Sequence, residues 1–391
     1  MRHIPYGRQS VSDADIAAVV EVLRSDWLTQ GPAVERFEQA VASYCTVPYA
    51  SAVCNGTAAL HLAYRALGLG PGDVLWTSPN TFVATTNAAL YCGARVDFVD
   101  IDPITYNLSP NALETKLKQA AAQGVLPKIV VPVHFAGQPC DLRAIDRLAQ
   151  RYGFRVVEDA SHAIGARYEG APVGNGEFSD MAVFSFHPVK LITTGEGGMV
   201  LTRSSELHQR AQLLRSHGIT REPSRMHGPP HGPWYYEQLD LGYNYRMTDI
   251  QAALGESQLH RLDAFLERRH ELARRYDAAL GGLPLRRPAQ VDGSRSALHL
   301  YVVHCANGSS TRAELVESLR AKGIGVNVHY IPVYRQPYYQ RLGFGPTDFP
   351  AAENYYAGAI SLPMFPALSD ADQDEIIGAV RKFFSSTLRS P

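Results

Sequence analysis

Between residues 50 and 200 the chain alternates short β-rich runs with helical ones, and this alternation constrains the fold more than any other feature. Residues 49–54 read as a strand. A helix over 57–69 follows, with Leu60, Ala63, Tyr64 and Leu67 at three- and four-residue spacing. Further strands are expected at 74–77, 95–99, 128–133 and 154–158, with helices at 81–91 and 142–152 between them. Two more strands, 181–186 and 199–202, are joined through a Gly-rich segment. Strands alternating with helices predict an α/β fold with a mostly parallel central sheet and flanking helices on both faces. No self-similar period is present, which argues against a solenoid or propeller.

After residue 203 the pattern changes. A helix over 205–215 precedes a loop rich in Gly, Pro and His at 218–238, and a long helical stretch runs from 248 to about 280. Beyond 283 the chain reads as a smaller α+β unit, with strands at 298–304 and 325–328 and helices at 312–322 and 370–384. The expected organisation is a large domain over 1–250, a connecting helix over 251–280 and a small C-terminal domain over 281–391. A chain of 391 residues buries roughly three quarters of its unfolded surface, enough to need neither disulfides nor a structural metal.

The five cysteines are scattered, with no C-x-x-C pair, as expected of free thiols in a reducing compartment. The N-terminus has no secretory h-region and no stretch reaches membrane-spanning length, so the expected location is cytoplasmic. Lys+Arg minus Asp+Glu is 37 − 38 = −1, which argues against a dedicated nucleic-acid binder. His227 and His231 have a metal-like spacing, but Gly228-Pro229-Pro230 between them prevents a helix, and no metal site is expected.

Three segments carry chemistry. In Asn55-Gly56-Thr57 a strand meets a helix start whose free amides suit a phosphate, although an ordinary N-cap looks the same. In the run Val156-Val157-Glu158-Asp159-Ala160-Ser161-His162 an apolar strand delivers Asp159 at its carboxyl end, where open α/β sheets place ligand contacts. That carboxylate could equally cap the next element. Phe184-Ser185-Phe186-His187-Pro188-Val189-Lys190 then presents a lysine among apolar neighbours. Burial would favour its neutral, nucleophilic amine, and a snorkelling surface lysine is the alternative.

Taken together, a phosphate cradle, a carboxylate and a lysine 31 residues after it meet the requirements for holding pyridoxal 5'-phosphate. The chain here resembles the fold type I aminotransferases, and within them the DegT-type sugar-nucleotide aminotransferases, over nearly its whole length. The resemblance rests on residues 28–32, 55–57, 158–165, 185–190 and 195–198, and on Gly242-Tyr243-Asn244-Tyr245-Arg246-Met247. It implies that Lys190 forms the Schiff base with the cofactor and moves protons during transamination, and that Asp159 pairs with the pyridine nitrogen. It further implies that His162 lies near the ring hydroxyl, that Phe82 stacks on the ring, and that Gly56, Thr57 and Ser185 hold the phosphate. Asn244 would reach the phosphate from a neighbouring subunit, which implies a homodimer with shared sites. Dehydrases of the family carry His in place of the lysine, so Lys190 favours transamination.

Within the family the likeness is sharpest to the branch that aminates C4 of a UDP-linked 4-keto-6-deoxy-N-acetylhexosamine in pseudaminic acid biosynthesis. It is carried by Ser161-His162, by residues 185–190 and 215–219, and by Val328-His329-Tyr330-Ile331-Pro332. That likeness implies L-glutamate as amino donor. It also implies a nucleotide-sugar site lined by Tyr6, Asp26, Trp27, Leu28, Thr29, Gly56, Ser185, Asn244, Asn327, Val328, His329 and Tyr330. The Gly/Pro-rich stretch 223–234 departs from the pattern and bears on the sugar. Other keto-deoxysugar aminotransferases, a lyase or decarboxylase using the same cofactor, and a non-enzymatic cofactor-binding regulator are the alternatives.

Overall fold

A computed structural model describes residues 3–306 and 308–387. Its main sheet contains β1 (Tyr49–Val53), β2 (Val74–Thr77), β3 (Arg95–Phe98), β4 (Ile129–Val131), β5 (Arg155–Asp159), β6 (Met181–Ser185) and β7 (Gly198–Thr202). Their spatial order is β1-β7-β6-β5-β4-β2-β3, and only β7 runs against the rest. The near-continuous apolar runs Ile129–Val131 and Met181–Ser185 fit strands buried on both faces. Helices α1 (Asp13–Arg24), α2 (Pro32–Cys45), α3 (Gly56–Ala66) and α4 (Ala84–Tyr91) precede or interleave the early strands. Next come α5 (Pro110–Gln123), α6 (Leu142–Tyr152), α7 (Ser205–Arg215), α8 (Asp249–Leu259) and α9 (Leu262–Ala279).

The parallel arrangement places the carboxyl ends of β1, β5 and β6 along one edge of the sheet. Because β7 is antiparallel, its first residue lies on that edge too, with Gly198 opposite both Val53 and Ser185. A Cβ on Gly198 would come within 2.5 Å of the Asn55 carbonyl oxygen. The strand can therefore sit against the Asn55 turn only with glycine there.

Two sequence expectations need correction. The helical stretch from 248 is two helices, α8 and α9, broken at His260 and Arg261. Arg261 donates to the Ser10 carbonyl at 2.8 Å and pairs with the buried Asp15 carboxylate of α1. Leu259 and Leu262 on either side of the break are both buried. Residues 325–328 form only isolated bridges and no strand. Ile324 pairs with Ile4 and Asn327 with Ser361. The Ile4 amide donates to Gly323 at 2.9 Å and its carbonyl accepts from Gly325 at 2.7 Å, which brings the N-terminal segment and Tyr6 to this part of the molecule.

After α9 a second, antiparallel sheet forms from β8 (Leu285–Arg286), β9 (Tyr301–Cys305) and β10 (Ala359–Leu362), in the order β8-β9-β10. Its apolar face joins α9 and the final helix (Asp370–Thr387) in a separate core around Tyr276, Val303, Ile360 and Val380.

Candidate active site

A cavity of about 720 Å³ opens at the carboxyl edge of the main sheet. Its phosphate-sized corner is the start of α3. The Asn55 side chain caps the helix by accepting from the Ala58 amide at 2.8 Å, and the Asn55 carbonyl takes the Ala59 amide at 3.1 Å. Among the described residues this leaves the Gly56 and Thr57 amides without a partner, at the positive end of the helix dipole. Ser185 lies against them, so closely that a Cβ on Gly56 would stand 2.9 Å from the Ser185 Cβ.

Asp159 ends β5 and is buried, lining the cavity. One carboxylate oxygen accepts from the Thr85 hydroxyl at 2.7 Å, and the other from the Ser161 hydroxyl at 2.6 Å and amide at 3.2 Å. Thr85 in turn bonds Thr81, four residues earlier in the turn before α4, at 2.8 Å. Three donors on a buried carboxylate fix its direction.

Lys190 follows β6 after a tight turn in which its amide donates to the His187 carbonyl at 2.8 Å. Leu191 and Ile192 are buried behind it, so the side chain lines the cavity and does not run out to the surface. No carboxylate lies within ion-pair distance of its amine among the described residues. Withdrawal from water lowers its pKa to about 8, and the more distant negative charge of Asp159 partly opposes that shift.

His162, buried, shares a 3.0 Å hydrogen bond between Nε2 and the Tyr330 hydroxyl, while its Nδ1 is buried with no partner. Burial pushes its pKa well below the ordinary histidine value, and the positive charges of Lys190 and His329 add to the effect. His329 is lowered to about 4, by burial first and then by Lys190, and its Nδ1 meets the Ser361 hydroxyl at 2.7 Å. Tyr6 leans on the His329 ring at 5.4 Å between centroids, and burial raises its pKa against a hydrogen bond from Asn327.

Of the residues singled out in the sequence, Tyr6, Gly56, Thr57, Phe82, Asp159, His162, Ser185, Lys190, Asn327, Val328, His329 and Tyr330 all line this cavity. Asp26, Trp27, Leu28, Thr29 and Asn244 do not; they are exposed on the chain's own surface. Residues 28 and 29 are tied instead to Asp249 and Thr248, and Asn244 bridges Ser216. Sequence reasoning missed two residues. Thr85 anchors Asp159, and its four-residue spacing from Thr81 was the available signal. His299, read only as part of the strand expected at 298–304, lies ahead of β9, which begins at Tyr301, and is a cavity residue whose ring lies 4.5 Å from that of His162. Nothing in its local sequence marked it.

The residues fit pyridoxal phosphate. Free amides and a serine would hold the phosphate, and the exposed Phe82 ring would stack on the pyridine. The aspartate would face the ring nitrogen, and the unpartnered His162 Nδ1 is a buried polar atom that a ring substituent could satisfy. A sheet of this order with such a lysine on its carboxyl edge defines a class, the fold type I pyridoxal-phosphate enzymes. The chain belongs to the DegT/DnrJ/EryC1/StrS aminotransferase family, which matches it over residues 9–381. It is therefore a pyridoxal-phosphate-dependent sugar aminotransferase.

Among its relatives, the spore coat polysaccharide biosynthesis protein SpsC of Bacillus subtilis is 42% identical over 97% of this chain and 96% of its own. The UDP-4-amino-4,6-dideoxy-N-acetyl-beta-L-altrosamine transaminase of Campylobacter jejuni is 39% identical over 92% of each chain. Helicobacter pylori PseC, an aminotransferase involved in the biosynthesis of pseudoaminic acid, superimposes with a TM-score of 0.90 at 32% identity. That match covers 98% of this chain and all of PseC.

Proposed function

We propose that the protein transfers an amino group from L-glutamate to C4 of a UDP-linked 4-keto-6-deoxy-N-acetylhexosamine, as in pseudaminic acid biosynthesis. The observation that carries this reading is the joint likeness to the Campylobacter transaminase and to PseC, across a cavity whose wall offers neutral imidazoles and tyrosines. Neutral His162, His329 and Tyr330 would read the hydroxyls of a sugar without attracting competing anions.

When bound, pyridoxal phosphate supplies an electron sink that stabilises negative charge at the substrate carbon. Asp159 would hold a proton on the ring nitrogen. Lys190, neutral above about pH 8, would accept and return the proton at the reacting carbon. The Gly56 and Thr57 amides with Ser185 would anchor the phosphate, so that the reacting end stays under Lys190.

The proposal includes a cytoplasmic homodimer with shared active sites. Lys190 is the only lysine or arginine lining the cavity among the described residues. The two carboxylates of glutamate and a diphosphate need more cationic or amide donors than that. The exposed Asn244 and residues 26–29 are available to a second copy's cavity. Among the described residues no helix is long and apolar enough to cross a membrane.

A second reading, another UDP- or dTDP-linked keto-deoxysugar as acceptor, is favoured by the higher identity to SpsC and by the exposed 223–234 stretch. The test is to incubate the pyridoxamine-loaded protein with a panel of UDP- and dTDP-linked 4-keto sugars and follow the visible cofactor band. The first reading expects the band to return fastest with the UDP-linked N-acetylhexosamine. Return only with a dTDP sugar would replace it with the second.

A further inference from the structure

Arg269, on α9, is one of the most deeply buried side chains in the molecule, at 1% exposure. No carboxylate partners it among the described residues. Its Nη1 instead donates to three backbone carbonyls, Leu298 at 3.2 Å, His299 at 3.0 Å and Met364 at 3.0 Å. A buried guanidinium with no counter-charge costs stability, and aliphatic packing would serve a mere core position better. What the charge does hold is a particular piece of backbone.

That backbone is clamped from both sides. Opposite the guanidinium lies Gly137, where a Cβ would stand 2.9 Å from the Leu298 amide nitrogen and 3.0 Å from that of His299. Leu298 has φ of 47°, a left-handed conformation a leucine keeps only when its surroundings impose it. The next residue is His299, buried at 4%, with an unpartnered Nδ1 and its ring 4.5 Å from His162. The Met364 end reaches the cavity as well, because the Met364 amide donates to the Tyr6 carbonyl at 3.0 Å.

We propose that Arg269 is a positioning residue of the active site: it fixes the backbone at Leu298 and His299 and so holds the His299 imidazole against His162. His162 is then confined between the Tyr330 hydroxyl on one nitrogen and the His299 ring beside it. Burial first, then His162, Lys190, Arg269 and His329, holds the His299 pKa well below the ordinary histidine value. The proposal rests on the cavity being the pyridoxal-phosphate site.

The experiment is a double-mutant cycle on the full chain with Arg269→Lys, His299→Ala and the pair. It reads three quantities: Tm, the Kd of the apo-protein for pyridoxal phosphate by fluorescence, and the rate at which glutamate removes the visible band. Each single change is expected to lower cofactor affinity or band-loss rate by about 10- to 100-fold, the upper figure being the scale of a 1 Å misplacement. The double variant is expected to be no more than about threefold worse than His299→Ala, because coupled residues do not add.

Effects that multiply in the double variant would overturn the proposal. So would an Arg269→Lys protein with reduced Tm but wild-type affinity and rate. If Arg269→Lys does not fold, His299→Ala decides alone, and wild-type behaviour there contradicts it. Failure of glutamate with the wild type would reject only the donor, and the affinity measurements would still decide this proposal.

Discussion

At the floor of the cavity, Asp159 accepts three hydrogen bonds, His162 is held by Tyr330, and Lys190 has been drawn away from water. The outer segments implied by family resemblance, residues 26–29 and Asn244, are exposed, and Trp27 keeps 55% of its surface in solvent. In the proposed homodimer the two regions would answer to different requirements. Chemistry at one carbon needs groups whose direction and protonation are fixed in advance. Segments that complete a site only with another chain can be organised by that chain, and their exposure in a single chain is what such a role requires.

The floor should be the harder region to perturb without loss. Lys190→Ala is expected to lower turnover by about 10⁴-fold, removing both the attachment point and the proton carrier, as steady-state assays would show. Asp159→Ala is expected to cost about 3–5 kcal/mol of cofactor binding, since the ring nitrogen would lose the buried carboxylate that faces it. Equilibrium titration of the apo-protein checks that figure. Retention of wild-type affinity would mean that the floor does not meet the pyridine nitrogen.

The rim makes a different prediction. Asn244→Ala and Lys190→Ala chains, each inactive, should regain about a quarter of wild-type activity when unfolded and refolded together, because a mixed two-fold dimer holds one intact shared site. No recovery would erase the distinction between floor and rim.

The pH dependence sharpens the floor further. A lowered lysine pKa means the neutral amine predominates above the new value. Cofactor capture by the apo-protein should therefore rise with pH and level off just above about 8. Continued acceleration towards pH 10 would indicate an ordinary, solvated lysine. The smallest effect belongs to Ser161→Ala, expected to weaken cofactor binding by about 1 kcal/mol, the worth of one hydrogen bond to a carboxylate that keeps its others.

Much of the floor was legible in the sequence because it is local. An apolar strand ending in Asp159 and a turn ending in Lys190 are each contiguous, and burial in a parallel sheet follows from the runs Ile129–Val131 and Met181–Ser185. The boundaries of β2 and of helices α6 and α7 were readable for the same reason. What stayed hidden depends on distant partners. The break between α8 and α9 is held by Ser10 and Asp15, some 250 residues away, and no glycine or proline announces it. Residues 325–328 have strand-like composition, but their neighbours are Ile4 and Ser361, so only isolated bridges form. His299 reaches the cavity through Arg269 and Gly137, a contact no local pattern encodes.

Chemical trapping tests the role of Lys190 most directly. The protein loaded with pyridoxal phosphate is reduced with borohydride, digested and mapped by mass spectrometry. Lys190 should carry a pyridoxyl phosphate mass, absent when glutamate is added before reduction. A label on any other lysine, or one on Lys190 that glutamate leaves untouched, would contradict that role.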